Sequence, residues 1–252
     1  MAQYFNLNPI LLDEEQVLDY LHYLKTQKKT PSESFFKHTV YGLRYAYRME
    51  GLREKRVVLP ALERPKKLPV VLSKEEVRRL LMAPKLLKHR LVLGLLYGCG
   101  LRCFELRRLL VKDVDFDRAT VHVRQGKGRK DRYVPLSKHL ARGLQAYIGN
   151  DHPVHWLFNG NSAHGEVVAY SQRGVQWVVR EARKAAGLHK NATAHTLRHT
   201  YATHLLEDGL DIISIKELLG HAHIETTLVY LHVSQMGRRK PFSPLDTLYP
   251  DK

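Results

Sequence analysis

The feature that most constrains how this chain can fold is a break in its hydrophobic periodicity between Gly51 and Pro69. Apolar residues at helical spacing give way there to Leu52-Arg53-Glu54-Lys55-Arg56, and then to Pro60, Pro65, Lys66, Lys67 and Pro69. Proline fixes φ and removes an N–H donor, and clustered like charges repel one another, so this stretch suits neither a helix interior nor a central strand. It reads as an extended basic linker dividing the 252 residues into domains at 1–65 and 66–252.

The first domain holds two amphipathic patterns. Glu14 to Lys25 spaces Val17, Leu18, Leu21 and Leu24 as one helical face, and Ser34 to Glu50 does the same with Phe35, Val40, Leu43 and Tyr47. The second domain opens at Ser73, an N-cap hydroxyl with Glu76 at the third helical position and Val77, Leu80 and Leu81 behind it. Leu91 to Tyr97 is almost wholly apolar and reads as a buried helix closed by Gly98 and Gly100, followed by a helical stretch from Arg102 to Leu110. Thr120 to Arg124 and Asp131 to Val134 alternate like strands around the turn Gly126-Lys127-Gly128-Arg129-Lys130, which predicts a β-hairpin. Further helices are expected over Leu140–Ile148, Gln172–Ala186, His195–Asp208 and Ile212–Leu219, the last three each ended by a glycine. The fold class is therefore mainly α with a small antiparallel β-sheet.

Composition narrows the function classes. No stretch approaches the roughly 18 apolar residues of a membrane helix. The start Met1-Ala2-Gln3-Tyr4 lacks the basic region of a signal peptide, so the expected location is cytoplasmic, without membrane partners. Cys99 and Cys103, four apart in a segment that reads as helix, suit core packing better than a disulfide or a zinc site. A formal charge of +16 favours a polyanionic partner through counterion release, nucleic acid first among them.

The last third contains His195-Thr196-Leu197-Arg198-His199, then Leu218-Leu219-Gly220-His221, then Tyr230 within Thr226 to Val233. Upstream lie Gly100-Leu101-Arg102-Cys103-Phe104-Glu105 and the hairpin Lys127. The ordered set Arg, hairpin Lys, H-x-x-R, G-H and Tyr resembles the tyrosine recombinase (phage integrase) family over about residues 67–235. The chemistry of these side chains agrees with that resemblance. Attack on a phosphodiester builds charge on the non-bridging oxygens, and the planar forks of Arg102 and Arg198 suit two oxygens each. His195 shares a helical face with Arg198.

The resemblance implies a site-specific DNA recombinase or integrase. Tyr230 would be the nucleophile forming a 3′-phosphotyrosine, Lys127 the general acid, His195 the acid or base and His221 a donor to the phosphate. Glu105 would orient Arg102. Covalent capture conserves the energy of the broken bond, so no cofactor is expected, and no G-x-x-x-x-G-K-[ST] motif occurs. No metal is expected either: His195 and His199 are four apart and His221 and His223 flank Ala222, but Thr196 stands where H-E-x-x-H would need glutamate. Tyr201 reads as core, and Tyr249 lies too far past His221.

Double-stranded DNA is the implied partner, bound by a homo-oligomer, a tetramer on two sites, through a Holliday-junction intermediate. Arg129 and Lys130 on the hairpin, and Lys37, Arg44 and Arg48 in the N-terminal half, are the expected DNA contacts. That half shows two helices where the family commonly has more, which reads as a shortened helical core-binding (SAM-like) domain. Leu245 and Leu248 in the tail are candidate docking residues for a neighbouring subunit. The alternatives are a type IB topoisomerase-like nicking and resealing enzyme and a catalytically silent DNA-binding regulator.

Overall fold

The computed structural model describes residues 1–26, 33–57, 68–124, 131–161 and 166–234. They fall into two compact units, one within Met1–Lys66 and one within Lys67–Lys252.

The first unit contains α1 (Ala2–Phe5), α2 (Glu14–Thr26) and α3 (Glu33–Met49). Asp13 and Gln16 start α2 by exchange: the Gln16 amide donates to Asp13 Oδ1 at 2.7 Å, and the Asp13 amide to Gln16 Oε1 at 3.0 Å. Leu12, Val17 and Leu21 pack against Phe36, Val40, Leu43, Tyr47 and Val57 as one small core. Two residues expected on the apolar faces do not join it: Leu18 and Phe35 are both 43% exposed, and Phe36 takes the inward position. The turn and return after α3 are stapled by side chains. Arg44 Nε and Nη2 donate to the Val57 carbonyl at 2.9 and 2.7 Å, and Lys55 Nζ donates to the carbonyls of Ile10 and Leu12 at 2.9 and 2.8 Å.

The second unit begins with α4 (Lys74–Met82), whose Ser73 and Glu76 form the expected reciprocal capping box. Next comes α5 (Leu87–Gly98), buried all round from Leu91 to Leu96 because it packs against α7 (Lys138–Asp151), α8 (Gln172–Ala185) and α9 (Ala194–Glu207). A short α6 (Cys103–Arg107) and a 3₁₀ turn at Val111–Asp113 lead into an antiparallel sheet of β1 (Val114–Asp115), β2 (Thr120–Val123) and β3 (Arg132–Pro135), in that order. Val121 pairs with Val134, which turns both side chains into the core. A second hairpin, β4 (Asn159–Asn161) with β5 (Val167–Ala169), carries no alternating apolar pattern and has no counterpart in the sequence reading. Among the described residues, α9 is followed by α10 (Ile212–Leu219) and a single turn, α11 (Glu225–Leu228).

Two expectations are corrected. The helix expected from Arg102 to Leu110 ends at Arg107, because the backbone beyond it pairs elsewhere: Leu157 donates to the Leu109 carbonyl and Val111 to that of His155, across a bridge between Leu110 and Trp156. Cys99 and Cys103 do not share a helix. Cys99 caps α5 and is buried, Cys103 opens α6, and Gly100 turns the chain between them.

That turn depends on glycine twice over. Gly100 has φ +58°, and a Cβ there would lie 2.4 Å from the Tyr201 ring. Gly100→Ala is therefore expected to cost ~2–4 kcal/mol from left-handed strain and overpacking together, measured as a lowered denaturation midpoint against Gly149→Ala, whose added Cβ meets nothing.

Candidate active site

Helix α10 ends at Gly220, whose φ of +61° lets the amides of Gly220 and His221 turn back onto the last helical turn. The carbonyls of Leu218, Leu219 and Gly220 remain, and each accepts from a different arginine. Arg132 Nε, on β3, donates to Leu218 at 2.8 Å; Arg198 Nη2, on α9, donates to Leu219; Arg102 Nη2, just before α6, reaches Gly220 at 3.4 Å. Cations at a helix C-terminus are favoured by the local dipole and by hydrogen bonds to the open carbonyls. Arg198 Nη1 also donates to the Gly100 carbonyl at 2.6 Å, so the glycine turn helps to aim it.

Glu105 lies among these three guanidiniums, 6% exposed. Its carboxylate accepts a fork from Arg132 at 2.9 and 2.8 Å, a bond from Arg102 Nη1 at 2.7 Å and one from the Arg102 amide at 2.8 Å, with Arg198 Nη1 at 3.8 Å. Burial alone would raise its pKa, but the bond and charge of Arg132, followed by those of Arg102, outweigh burial and bring it to about 2. Arg198, itself 1% exposed, is drawn down to about 9 by burial and then by Arg102, and stays charged at neutral pH. The cluster holds three positive charges against one negative, and the surplus leaves the pocket attractive to an anion.

Two histidines share this helical face of α9. His195 lies one turn before His199, ring centroids 4.2 Å apart at 70°. The Nδ1 of His199 is hydrogen-bonded to Tyr230 Oη at 3.0 Å. His221 packs nearly parallel to the Tyr230 ring, 6.5 Å away, and its Nδ1 is bonded to the Thr227 hydroxyl at 2.9 Å. All three imidazoles are held below the ordinary 6.5: burial comes first in each case, then His195 and Arg198 for His199 (about 4), and Arg198 and Arg102 for His195 and for His221 (about 3 in the latter). Tyr230 is 1% exposed, within a cluster that includes Tyr201, Ala202, Ile215 and Leu219. Burial raises its pKa against the pull of Arg198 and Arg102, so the phenol keeps its proton at neutral pH.

The structure thus brings Arg102, Arg198, His195, His221 and Tyr230 to one region, with Glu105 beneath the arginines. Lys127, Arg129 and Lys130 lie outside the described residues. Lys37, Arg44 and Arg48 belong to the first unit, where Arg44 is committed to the Val57 carbonyl and Arg48 is exposed. Arg132 and His199 carry site contacts that the motif reading did not assign them. His199 had a visible signal, since it stands four residues after His195 and next to Arg198, whereas Arg132 was masked by its strand-like neighbours. Among the described residues no three His, Cys, Asp or Glu side chains are grouped to hold a metal ion, and no helix is long and apolar enough to cross a membrane.

Two outcomes follow from these charges. Replacing Glu105 with Gln leaves buried guanidiniums facing one another and is expected to cost ~3–5 kcal/mol, a fall in Tm of roughly 10 °C by calorimetry. Stability should also fall on acidification. His199 and His221 resist protonation in the folded protein, so the unfolded chain takes up protons first as the pH falls from 6.5 to about 4 for His199 and to about 3 for His221. Glu105, lowered from 4.5 to about 2, adds to the loss in the same direction from 4.5 downward. Tm should be flat just above pH 7 and decline below 6.5, less steeply in His221→Asn; an unchanged slope in that variant would contradict the assignment.

Comparison with known proteins places these residues in a family. Residues 70–236 match the model of the phage integrase family. The chain is 39% identical over 233 residues to tyrosine recombinase XerA of Thermococcus kodakarensis, covering 91% of this chain and 80% of that one. It is 34% identical to an integrase/recombinase of Escherichia coli, covering 96% of this chain and 83% of the relative. Its fold matches the crystal structure of XerA recombinase with a TM-score of 0.62 at 28% identity, over 100% of this chain and 88% of the other. Sequence, fold and the convergence of two arginines and three histidines beside a buried tyrosine agree, and the chain belongs to the phage integrase family of tyrosine recombinases.

Proposed function

We infer that this protein cuts and rejoins double-stranded DNA at specific sites through a covalent bond between Tyr230 and the 3′ phosphate of the cut strand. The observation that carries the reading is the surplus of guanidinium charge at the C-terminus of α10, beside a tyrosine already hydrogen-bonded to an imidazole. Each arginine keeps N–H groups beyond those used on Glu105 and the backbone, and these can bind the non-bridging oxygens of a phosphate. Held in a fixed array, they stabilise the charge of the five-coordinate transition state without reorganising.

In this reading Arg102 and Arg198 clamp the scissile phosphate and His221 donates to it. His195 assists as acid or base, and Glu105 positions the arginines. Lys127 protonates the departing 5′ oxygen, a role that rests on the family resemblance. The phosphotyrosine conserves the bond energy, so the 5′ hydroxyl of another strand can displace Tyr230 without a nucleotide cofactor. The names of the relatives favour recombination over a topoisomerase or a silent regulator.

The first unit would add phosphate contacts of its own through Lys37, Arg48, Arg53 and Arg56, while Arg44 and Lys55 serve mainly to hold the return after α3 in place. His195 also lines a cleft of ≈ 470 Å³ with Arg180, Arg183 and Asn191, which offers further donors beside the site. We expect four copies on two DNA sites, acting in the cytoplasm, where the free thiols of Cys99 and Cys103 would stay reduced.

The test begins with target sites selected from random duplexes and rebuilt as nicked suicide substrates. Wild-type protein should form a covalent adduct, Tyr230→Phe none, and Arg198→Ala an adduct ~10²–10³-fold more slowly. Binding should weaken steeply with salt through phosphate contacts. An undiminished adduct with Tyr230→Phe would remove that residue from the mechanism, and relaxation of plasmids lacking the site would favour the topoisomerase.

A further inference from the structure

We propose that His199, rather than His195, is the group that takes the proton from Tyr230 as the phenol attacks DNA. This rests on Tyr230 being the nucleophile, and it assigns a catalytic role to a residue outside the H-x-x-R pair.

The geometry is direct. His199 Nδ1 and Tyr230 Oη are 3.0 Å apart, within the range for proton transfer, with ring centroids 5.6 Å apart. His195 meets the nucleophile through the His199 ring, one helical turn away. The groups facing His199 are His195 and Arg198 from α9, Tyr230, and His221 from the turn after α10. They leave it neutral at physiological pH, while the buried phenol keeps its proton. A neutral imidazole with Nδ1 unprotonated can accept from a phenol that still has a proton to give.

His199 is a weak base in the free protein because burial and neighbouring cations oppose its charging. A phosphate docked between Arg102 and Arg198 brings the opposite charge and raises the proton affinity of His199 when it is needed. As Tyr230 Oη bonds to phosphorus, its proton passes to His199 Nδ1. The bond from phosphorus to the 5′ oxygen breaks, and that oxygen leaves with the electron pair and takes a proton from the general acid. On resealing, the incoming 5′ hydroxyl attacks phosphorus and gives its proton back to the deprotonated general acid, the bond from phosphorus to Tyr230 Oη breaks, and His199 returns its proton to the departing phenolate.

His199→Asn keeps a polar atom near the Nδ1 position but cannot hold a transferred proton, which separates base catalysis from simple positioning. Full-length wild type, His199→Asn, His199→Ala and Tyr230→Phe would be compared in single-turnover cleavage of the suicide duplex as a function of pH. At neutral pH both His199 variants should cleave ~10²–10³-fold more slowly. Their DNA affinity should stay within about twofold of wild type, and their rates should climb with pH as hydroxide substitutes for the base. Added imidazole should speed His199→Ala. A substrate with sulfur in place of the departing 5′ oxygen, which needs no general acid, should leave the defect intact.

Cleavage by His199→Asn within about threefold of wild type, or disappearance of the defect with the sulfur substrate, would overturn the proposal. Should His199→Ala fail to fold, the near-isosteric His199→Asn carries the test. Adduct formation by Tyr230→Phe would instead overturn the nucleophile assignment, so the two failures are distinct.

Discussion

The second unit is organised around one carboxylate. Glu105 sits where guanidiniums arrive from three separate elements: Arg102 before α6, Arg132 from β3 and Arg198 from α9. Three buried or half-buried cations in one place would repel strongly at low dielectric, and a single fixed anion lets them approach without cancelling their total charge. The carbonyls at the end of α10 supply the remaining acceptors, so each arginine is aimed as well as neutralised in part. What remains of this packing is a surplus of positive charge, three guanidiniums against one carboxylate.

The same end of α10 sets the position of everything downstream. Gly220 reverses the chain in the left-handed region, and a Cβ there would come within 3.2 Å of Arg132, so the turn and the arginine are mutually restrictive. His221 follows directly, bonded to Thr227, and α11 then brings Tyr230 back under α9 to meet His199. Burial keeps the phenol protonated against the pull of the cations, whereas burial and the cations together keep the imidazoles neutral. A protonated phenol therefore lies within hydrogen-bond distance of a neutral imidazole, beside a cluster of guanidiniums.

Much of this could be read in advance, because the signals were local. Helix starts such as Ser73 with Glu76, helix ends at Gly209 and Gly220, and the strand alternation at 120–123 involve residues within one or two turns of each other. The motif order likewise singled out Arg102, His195, Arg198, His221 and Tyr230, which the fold brings to one region. Leu18 and Phe35 were misassigned because a single-helix pattern cannot say which edge of a wide apolar face meets its partner. The early end of α6 was hidden for a related reason, since its competitor for hydrogen bonds at 155–157 lies far along the chain.

The sequence by itself determined the two-part division of the chain, the mainly helical class, the basic character and the residue types available for chemistry, since these depend on composition and short-range periodicity. Only the tertiary structure decided that Arg132 joins the arginine cluster, that Arg44 is spent on a backbone carbonyl, and that His199 rather than His195 touches Tyr230. Such choices depend on ångström-scale distances between atoms brought together from remote parts of the chain, and a change of one residue in register or one turn of helix would reassign them.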